Sequence, residues 1–72
     1  MPLVTNNIGN NIRKLRKQNG VTQGQLARAV NVTPQAVSKW ETCLGYPDIS
    51  LLPVIAEYFG VSLDTLFGVK VD

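Results

Sequence analysis

The sequence contains no histidine and only one cysteine, Cys43. A lone cysteine cannot form a disulfide within the chain, and without histidine there is no cluster of the usual zinc ligands. A serine or cysteine nucleophile would also lack an imidazole to activate it, and the carboxylates are scattered along the chain. We therefore expect no metal, no cofactor and no enzymatic activity.

Long hydrophobic runs are missing as well. No apolar stretch approaches the roughly 18 residues that span a bilayer, and the N-terminus lacks the basic start and apolar stretch of a secretory signal. With 72 residues, of which 44% are hydrophobic, the chain is long enough for one globular domain and too short for two. The sequence predicts a single soluble domain over residues 1–72, located in the cytoplasm and not in a membrane.

The net charge is only +2, but the charges are distributed unevenly. Residues 1–40 contain six basic side chains and no acidic one, whereas residues 41–72 contain five acidic side chains and a single lysine. The first part of the chain therefore has the polarity expected for a polyanionic partner. Taken alone, the run from Arg13 to Lys17 is explained more simply as the solvated face of a helix.

Helical periodicity runs through the whole chain. Apolar residues recur three and four positions apart, and no stretch alternates long enough to indicate a half-buried strand. We expect an all-α fold, a compact five-helix bundle. The first helix is predicted over Asn6–Gln18, with Thr5 as its N-cap and Gly20 in the left-handed conformation that ends it.

Two closely spaced helices are predicted over about residues 22–42 and form a helix-turn-helix. The run Thr22-Gln23-Gly24-Gln25 has the form of a capping box, so a helix begins there, and it ends at Asn31, which tolerates the left-handed conformation. Thr33 is the predicted N-cap of the next helix and Pro34 its first residue, where the missing N–H costs nothing. Such a short turn makes the two helices cross steeply, an arrangement that places the second in a major groove.

The remaining two helices are placed by their caps. Ser50 is the predicted N-cap of the fourth helix, because Pro53 is tolerated only in a first turn and would clash if Asp48 were the cap. Ser62 and Gly68 are the predicted start and stop of a short fifth helix.

The third helix has two chemically different faces. Ala36, Val37 and Trp40 are spaced to pack on the core, and the other side chains are predicted to point outward: Pro34, Gln35, Ser38, Lys39 and Thr42. Glutamine can pair with adenine through two hydrogen bonds, lysine can donate to guanine, and small hydroxyl or apolar groups can contact the thymine methyl. Considered alone, this helix is explained equally well as an ordinary solvated face.

Five short blocks of sequence stand out in their joint spacing: IRKLR (12–16), GVTQGQLA (20–27), VSKWE (37–41), PDISLLP (47–53) and FGVSLDTL (59–66). Together they resemble the DNA-binding domain of phage Cro and repressor-type regulators. The resemblance covers about three quarters of the chain and implies a five-helix, lambda repressor-like fold. It also implies a set of base contacts: Thr33, Pro34, Gln35, Ser38 and Lys39.

The resemblance implies further roles outside the third helix. Gln23 and its backbone N–H are expected to clamp one phosphate and Thr42 another, although solvation of a helix start is the alternative for Gln23. Arg16 and Glu41 are expected to form a partly buried structural ion pair that ties the first helix to the third. From charge and position we add three phosphate contacts: Arg13, Lys17 and Tyr46.

The sequence departs from the family pattern at Cys43, where a glycine usually ends the third helix. We expect Gly45 to replace that glycine, or the helix end to be shifted or strained, because a left-handed non-glycine residue costs on the order of 1 kcal/mol. A redox role for Cys43 is weighed against the commoner inert thiol, and the absence of an adjacent basic residue favours the inert one.

Together these observations predict a sequence-specific double-stranded DNA-binding protein, a transcriptional regulator and most simply a repressor. We expect a bacterial or phage-encoded, nucleoid-associated protein that binds a palindromic operator as a homodimer. Dimer contacts are assigned to Leu63, Phe67, Val69 and Val71, with core closure as the alternative for Leu63 and Leu66. The competing hypothesis is a protein-interaction or antitoxin-type module of the same fold, without recognition of bases.

Overall fold

The structure is a computed structural model that describes residues 5–68, with side chains from residue 8 onward. Within this range the chain forms five α-helices, one 3-10 turn and no strand, which confirms the predicted all-α, five-helix fold. The helices are α1 (Thr5–Gln18), α2 (Gln23–Ala29), α3 (Pro34–Glu41), α4 (Leu52–Phe59) and α5 (Leu63–Phe67), and the 3-10 turn is Ile49–Leu51. None of these helices is long and apolar enough to cross a bilayer. The predicted dimer contacts Val69 and Val71 lie outside the described residues.

The starts of α2, α3 and α5 are capped by hydroxyl side chains, as predicted. Thr22 Oγ1 accepts from the backbone N–H of Gln25 at 3.0 Å, and Gln25 Oε1 accepts from the backbone N–H of Thr22 at 2.8 Å, so the capping box is complete. Thr33 and Ser62 cap α3 and α5 in the same way, through single hydrogen bonds of 3.2 and 3.1 Å. These local hydrogen bonds satisfy donors that the helix itself leaves unpaired.

Two of the predicted helix starts are wrong. Thr5 is the first helical residue of α1 and not its N-cap. Asp48 and not Ser50 begins the next segment, because its carboxylate accepts from the Ser50 backbone N–H at 3.2 Å and from Ser50 Oγ at 2.5 Å. Asp48 caps the 3-10 turn, which delays the start of α4 to Leu52, so Pro53 still falls in the first turn and no clash arises.

The ends of α2 and α3 share one geometry, with a non-glycine residue in the left-handed region. Asn31 has φ 64° and Cys43 has φ 62°. Each is followed by a residue whose N–H reaches back to a carbonyl five positions earlier: Val32 to Ala27 at 2.8 Å and Leu44 to Lys39 at 2.9 Å. This is the hydrogen-bond pattern of a Schellman motif. The predicted replacement by Gly45 is wrong, since Gly45 does not adopt a left-handed φ and Cys43 does so itself.

The left-handed conformation of Cys43 predicts that Cys43→Gly stabilises the fold. Glycine avoids the steric cost of a left-handed Cβ but loses more backbone entropy on folding, so we expect a net gain of about 0.5–1 kcal/mol in the free energy of unfolding. Urea denaturation of purified variants measures this change in the free energy of unfolding. Cys43→Ala is the control, because alanine removes the thiol and keeps the Cβ. Equal stability of the glycine and alanine variants would argue against strain at this position.

The core lies where all five helices meet. Its buried hydrophobic members are Ile8, Ile12, Leu26, Ala27, Val30, Val37, Trp40, Leu52, Ile55, Ala56 and Leu66. Of the α3 side chains predicted to pack on the core, Val37 and Trp40 are therefore confirmed, while Ala36 is half-buried. Leu66 closes the core at 0% exposure, whereas Leu63 remains 41% exposed.

Helix α1 contacts both α3 and α5. Gly9 lies so close to the end of α3 that an added Cβ would be 1.8 Å from the carbonyl oxygen of Trp40. Two residues later, the Asn11 side-chain amide donates to the carbonyl oxygen of Leu66 at 3.0 Å. The position of α3 on the surface is thus set by backbone contact with α1 as well as by its own buried side chains.

Candidate nucleic-acid interface

The outer face of α3 is polar and almost uncharged. It consists of Thr33, Pro34, Gln35, Ser38, Lys39 and Thr42. Each of these residues is exposed except Ser38, which is half-buried, and Lys39 is the one charged member. An α-helix with its side chains is about 10–12 Å across, and the major groove of B-DNA is about 12 Å wide, so an exposed helix of this kind fits the groove.

Two depressions, each of about 350 Å³, flank the ends of α3. The first, named here the Arg28 depression, is lined by Arg28, by Asn31 of the interhelical turn and by Pro34 at the start of α3. The second, the Arg13 depression, lies at the other end of the helix. Its lining residues are Arg13, Arg16, Lys17, Gln23, Glu41 and Thr42.

Apart from Lys39 on the outer face, the exposed cations of this surface lie in the two depressions. Arg13, Lys17 and Arg28 are exposed, and none of them forms an ion pair within residues 8–68. The one ion pair found there joins Arg16 to Glu41. Basic side chains therefore stand at both ends of a nearly neutral helix face.

The ion pair between Arg16 and Glu41 connects α1 to the end of α3. Arg16 Nε donates to Glu41 Oε2 at 2.6 Å, and Arg16 Nη2 donates to Glu41 Oε1 at 3.0 Å. The side chains are 13% and 4% exposed, and Arg16 Nη1 also donates to the carbonyl oxygen of Val21 at 2.9 Å. This two-bond arrangement is the geometry in which a guanidinium and a carboxylate bind most strongly.

The electrostatics of the pair favour its charged form. Burial raises the pKa of Glu41, but hydrogen bonds from Arg16 and Gln23, together with the positive charges of Arg16 and Arg13, outweigh burial and leave that pKa below its ordinary value. The hydrogen bond to Glu41 in turn raises the pKa of Arg16. Both groups are therefore ionised at neutral pH.

The two expected phosphate contacts nearest the ion pair already have partners within the chain. Gln23 Nε2 donates to Glu41 Oε1 at 3.1 Å, which leaves the second amide hydrogen of Gln23 for another acceptor. Thr42 Oγ1 donates to the carbonyl oxygen of Ser38 at 2.9 Å, so its oxygen can accept but its proton is engaged. Tyr46 lies on the loop after α3 with 52% of its surface exposed and does not line the Arg13 depression.

Sequence reasoning missed two features of this surface. The hydrogen bond from Gln23 to Glu41 joins residues 18 positions apart, and no local pattern signals it. The close approach of Gly9 to α3 had a signal, because an isolated glycine inside a helical pattern usually has a packing reason.

The comparisons with known proteins agree with this geometry. A family model described as helix-turn-helix matches residues 12–66. The chain belongs to this family, in its Cro and repressor branch. The matched residues run from the middle of α1 to α5 and so include the helix-turn-helix, both depressions and the ion pair.

Relatives of this helix-turn-helix chain include two curated bacterial proteins. It is 40% identical over 57 residues to the HTH-type transcriptional activator BcrR of Enterococcus faecalis, which covers 79% of this chain and 28% of the activator. It is 33% identical over 61 residues to the antitoxin PezA of Streptococcus pneumoniae, which covers 85% of this chain and 39% of the antitoxin. The chain therefore spans well under half the length of either relative.

Solved structures of two regulators share the fold of this helix-turn-helix chain. A transcriptional regulator from Listeria innocua superposes with a TM-score of 0.81 at 31% identity, over 90% of this chain and 61% of that one. The P22 c2 repressor, solved in complex with a synthetic operator, superposes with a TM-score of 0.78 at 31% identity, over 90% of this chain and 96% of that one.

Proposed function

We propose that this chain binds double-stranded DNA with sequence preference and regulates transcription. The observation that carries the proposal is the arrangement around α3, where a nearly uncharged outer face is flanked at both ends by exposed cations that form no ion pair within residues 8–68. Phosphate contacts position a protein on the duplex, while contacts to base edges select the sequence. A nearly neutral helix face between two basic depressions provides both kinds of contact.

Each of the predicted site residues receives one role in this proposal. The base contacts are Thr33, Pro34, Gln35, Ser38 and Lys39. The phosphate contacts are Gln23, Thr42, Arg13, Lys17 and Tyr46. Arg16 and Glu41 maintain the angle between α1 and α3 and do not themselves contact DNA. The relatives support DNA binding and transcriptional regulation as the function, since the P22 c2 repressor was solved with an operator and the activator BcrR is a transcription regulator by name.

The proposed binding unit is a homodimer on a palindromic operator, with repression as its outcome. The domain measures 32 × 25 × 22 Å, so two copies side by side can present their α3 helices one helical turn, about 34 Å, apart. Leu63 is 41% exposed and Phe67 half-buried, and both remain assigned to the dimer contact. The protein acts on the nucleoid in the cytoplasm of a bacterium, from a bacterial or phage gene.

The alternative is an antitoxin-type or other protein-interaction module that lacks recognition of bases. Its support is the 33% identity to the antitoxin PezA. The two functions differ in their response to salt. For a DNA-binding protein the logarithm of the affinity falls linearly with the logarithm of salt concentration, by about 0.9 per neutralised phosphate, whereas a protein-interaction module without DNA binding shows no such slope.

Selection from a random duplex library, followed by titrations of the selected site at several salt concentrations, tests the proposal. We expect an enriched palindrome. Gln35→Ala and Lys39→Ala are each expected to relax the preference at particular base pairs, at a cost of about 1–3 kcal/mol for each lost contact. Gln18→Ala is the control for Gln35, because Gln18 is exposed at the end of α1 and lines neither depression.

The phosphate contacts require a separate comparison. Lys17→Ala is expected to weaken all sequences about equally and to reduce the salt slope by about 1. Lys14→Ala removes the same charge from the same helix, but Lys14 does not line either depression, so its slope is expected to stay close to that of the wild type. Absence of any enriched sequence, or equal slopes for the two lysine variants, contradicts the proposed surface.

A further inference from the structure

We propose that Glu41 is a positioning residue for DNA binding, because its carboxylate, fixed by Arg16, holds the Gln23 side chain in the orientation that contacts a backbone phosphate in the Arg13 depression. This inference rests on the proposed DNA-binding function. It extends the role of Glu41 beyond joining α1 to α3, since it makes the affinity for DNA depend on a residue that does not touch the DNA.

The contacts of Glu41 carry the inference. Its Oε1 accepts two hydrogen bonds, one from Arg16 Nη2 at 3.0 Å and one from Gln23 Nε2 at 3.1 Å. Its Oε2 accepts from Arg16 Nε at 2.6 Å, so the carboxylate is held on both oxygens before it orients Gln23. The chain of contacts therefore runs from α1 through α3 to the first residue of α2.

The geometry leaves one amide hydrogen of Gln23 available to donate to a phosphate. A glutamine amide has two hydrogens, and Gln23 donates one of them to Glu41. The other hydrogen remains for an acceptor in the depression that Gln23 lines. A long side chain that is already held in one rotamer loses less conformational entropy when it binds than one that is free. Among the lining residues Arg13 and Lys17 supply positive charge, and the charge of Glu41 is matched by that of Arg16.

A double-mutant cycle on DNA affinity tests the inference. The variants are Glu41→Gln, Gln23→Ala and the pair together, each titrated with the selected duplex, and with the folded fraction of each determined by urea denaturation. Loss of the Glu41 charge alone strengthens attraction to a polyanion, but this contribution is the same in both backgrounds and cancels in the cycle. Glu41→Gln changes the affinity for the duplex by some factor in each background. We expect that factor to be about fivefold less favourable when Gln23 is present than when it is replaced by alanine, a coupling within the range for residues in contact.

The outcomes separate this inference from the function on which it rests. A wild-type chain that binds no duplex overturns the proposed function and the inference together. A wild-type chain that binds, with a cycle that is additive within about twofold, overturns the inference alone, because a merely structural role for Glu41 lowers affinity equally in both backgrounds.

A measurement on the unaltered protein covers the case in which Glu41→Gln fails to fold. The side-chain amide of Gln23 is expected to exchange its hydrogens with solvent more slowly than the side-chain amide of Gln18, which is exposed and makes no side-chain hydrogen bond within residues 8–68. Proton–nitrogen NMR of the labelled chain resolves both amides. Equal exchange at Gln23 and Gln18 overturns the inference without any substitution.

Discussion

Gly9→Ala is expected to destabilise the fold by about 3 kcal/mol. The added Cβ would lie 1.8 Å from the carbonyl oxygen of Trp40 and 2.9 Å from its carbonyl carbon, far inside contact distance. Both clashing atoms are backbone atoms of α3, so no rotamer change relieves the overlap and the two helices must separate. Overpacking that shifts a backbone costs typically 1–3 kcal/mol and occasionally more. Urea denaturation followed by tryptophan fluorescence measures the change.

Gly24→Ala is the matched control for this prediction. Gly24 is also helical, but a Cβ added there meets only the Thr22 hydroxyl at 3.9 Å, which is an ordinary contact. Alanine is favoured over glycine inside a helix by about 0.8–1 kcal/mol, so this variant is expected to be as stable as the wild type or slightly more stable. Equal stabilities for the two alanine variants would show that α1 and α3 are not in close backbone contact.

The contrast between Gly9 and Gly24 illustrates what the sequence reveals about this fold. The caps at Thr22, Thr33 and Ser62 depend on hydrogen bonds within three residues, so the local sequence was sufficient to predict them. The packing of Gly9 on Trp40 depends on how two helices approach each other, and a hydrophobic pattern does not specify that distance. The wrong start of α4 has a related cause, since Asp48 caps a 3-10 turn whose i to i+3 bonding leaves no periodic trace in the sequence.

The candidate site also has one part that the sequence predicts and one part that it does not. The outward position of Gln35 and Lys39 follows from the spacing of Val37 and Trp40, because a helix with a buried stripe exposes its other side. The link from Gln23 to Glu41 joins two helices and appears only in three dimensions. Family resemblance supplied the roles of these residues, and their roles on DNA stay predictions until the duplex experiments are made.

Glu41→Ala is expected to cost about 3 kcal/mol of folding stability, the low end of the range for breaking a buried ion pair. The substitution leaves Arg16, whose side chain is only 13% exposed, without the acceptor for its Nε and Nη2 hydrogens. The hydrogen bond to the carbonyl oxygen of Val21 restricts the guanidinium and hinders its escape to solvent. Urea denaturation at pH 7 measures the loss, and an unchanged free energy of unfolding would contradict a stabilising role for the pair.

The pH dependence of that loss identifies its electrostatic part. The pKa of Glu41 in the fold lies below its ordinary value, so the carboxylate stabilises the fold fully above the unfolded-state pKa of about 4.3 and loses this effect as the pH falls through the lowered value. The stability difference between wild type and Glu41→Ala is therefore expected to be constant from pH 8 to about pH 5 and to shrink below about pH 4. The lowered pKa of Asp48 acts in the same direction but is common to both proteins and cancels.

The double variant Arg16→Met with Glu41→Leu separates the contribution of the ion pair to folding stability from the penalty of leaving one charge unpaired. Two apolar side chains of similar volume remove both charges together, and such replacements are often neutral or stabilising in other proteins. We expect the double variant to recover most of the stability that Glu41→Ala loses, and to show no step in stability near pH 4 from this position. A double variant as unstable as the single one would mean that the ion pair, and not merely the avoidance of a lone buried charge, holds α1 against α3.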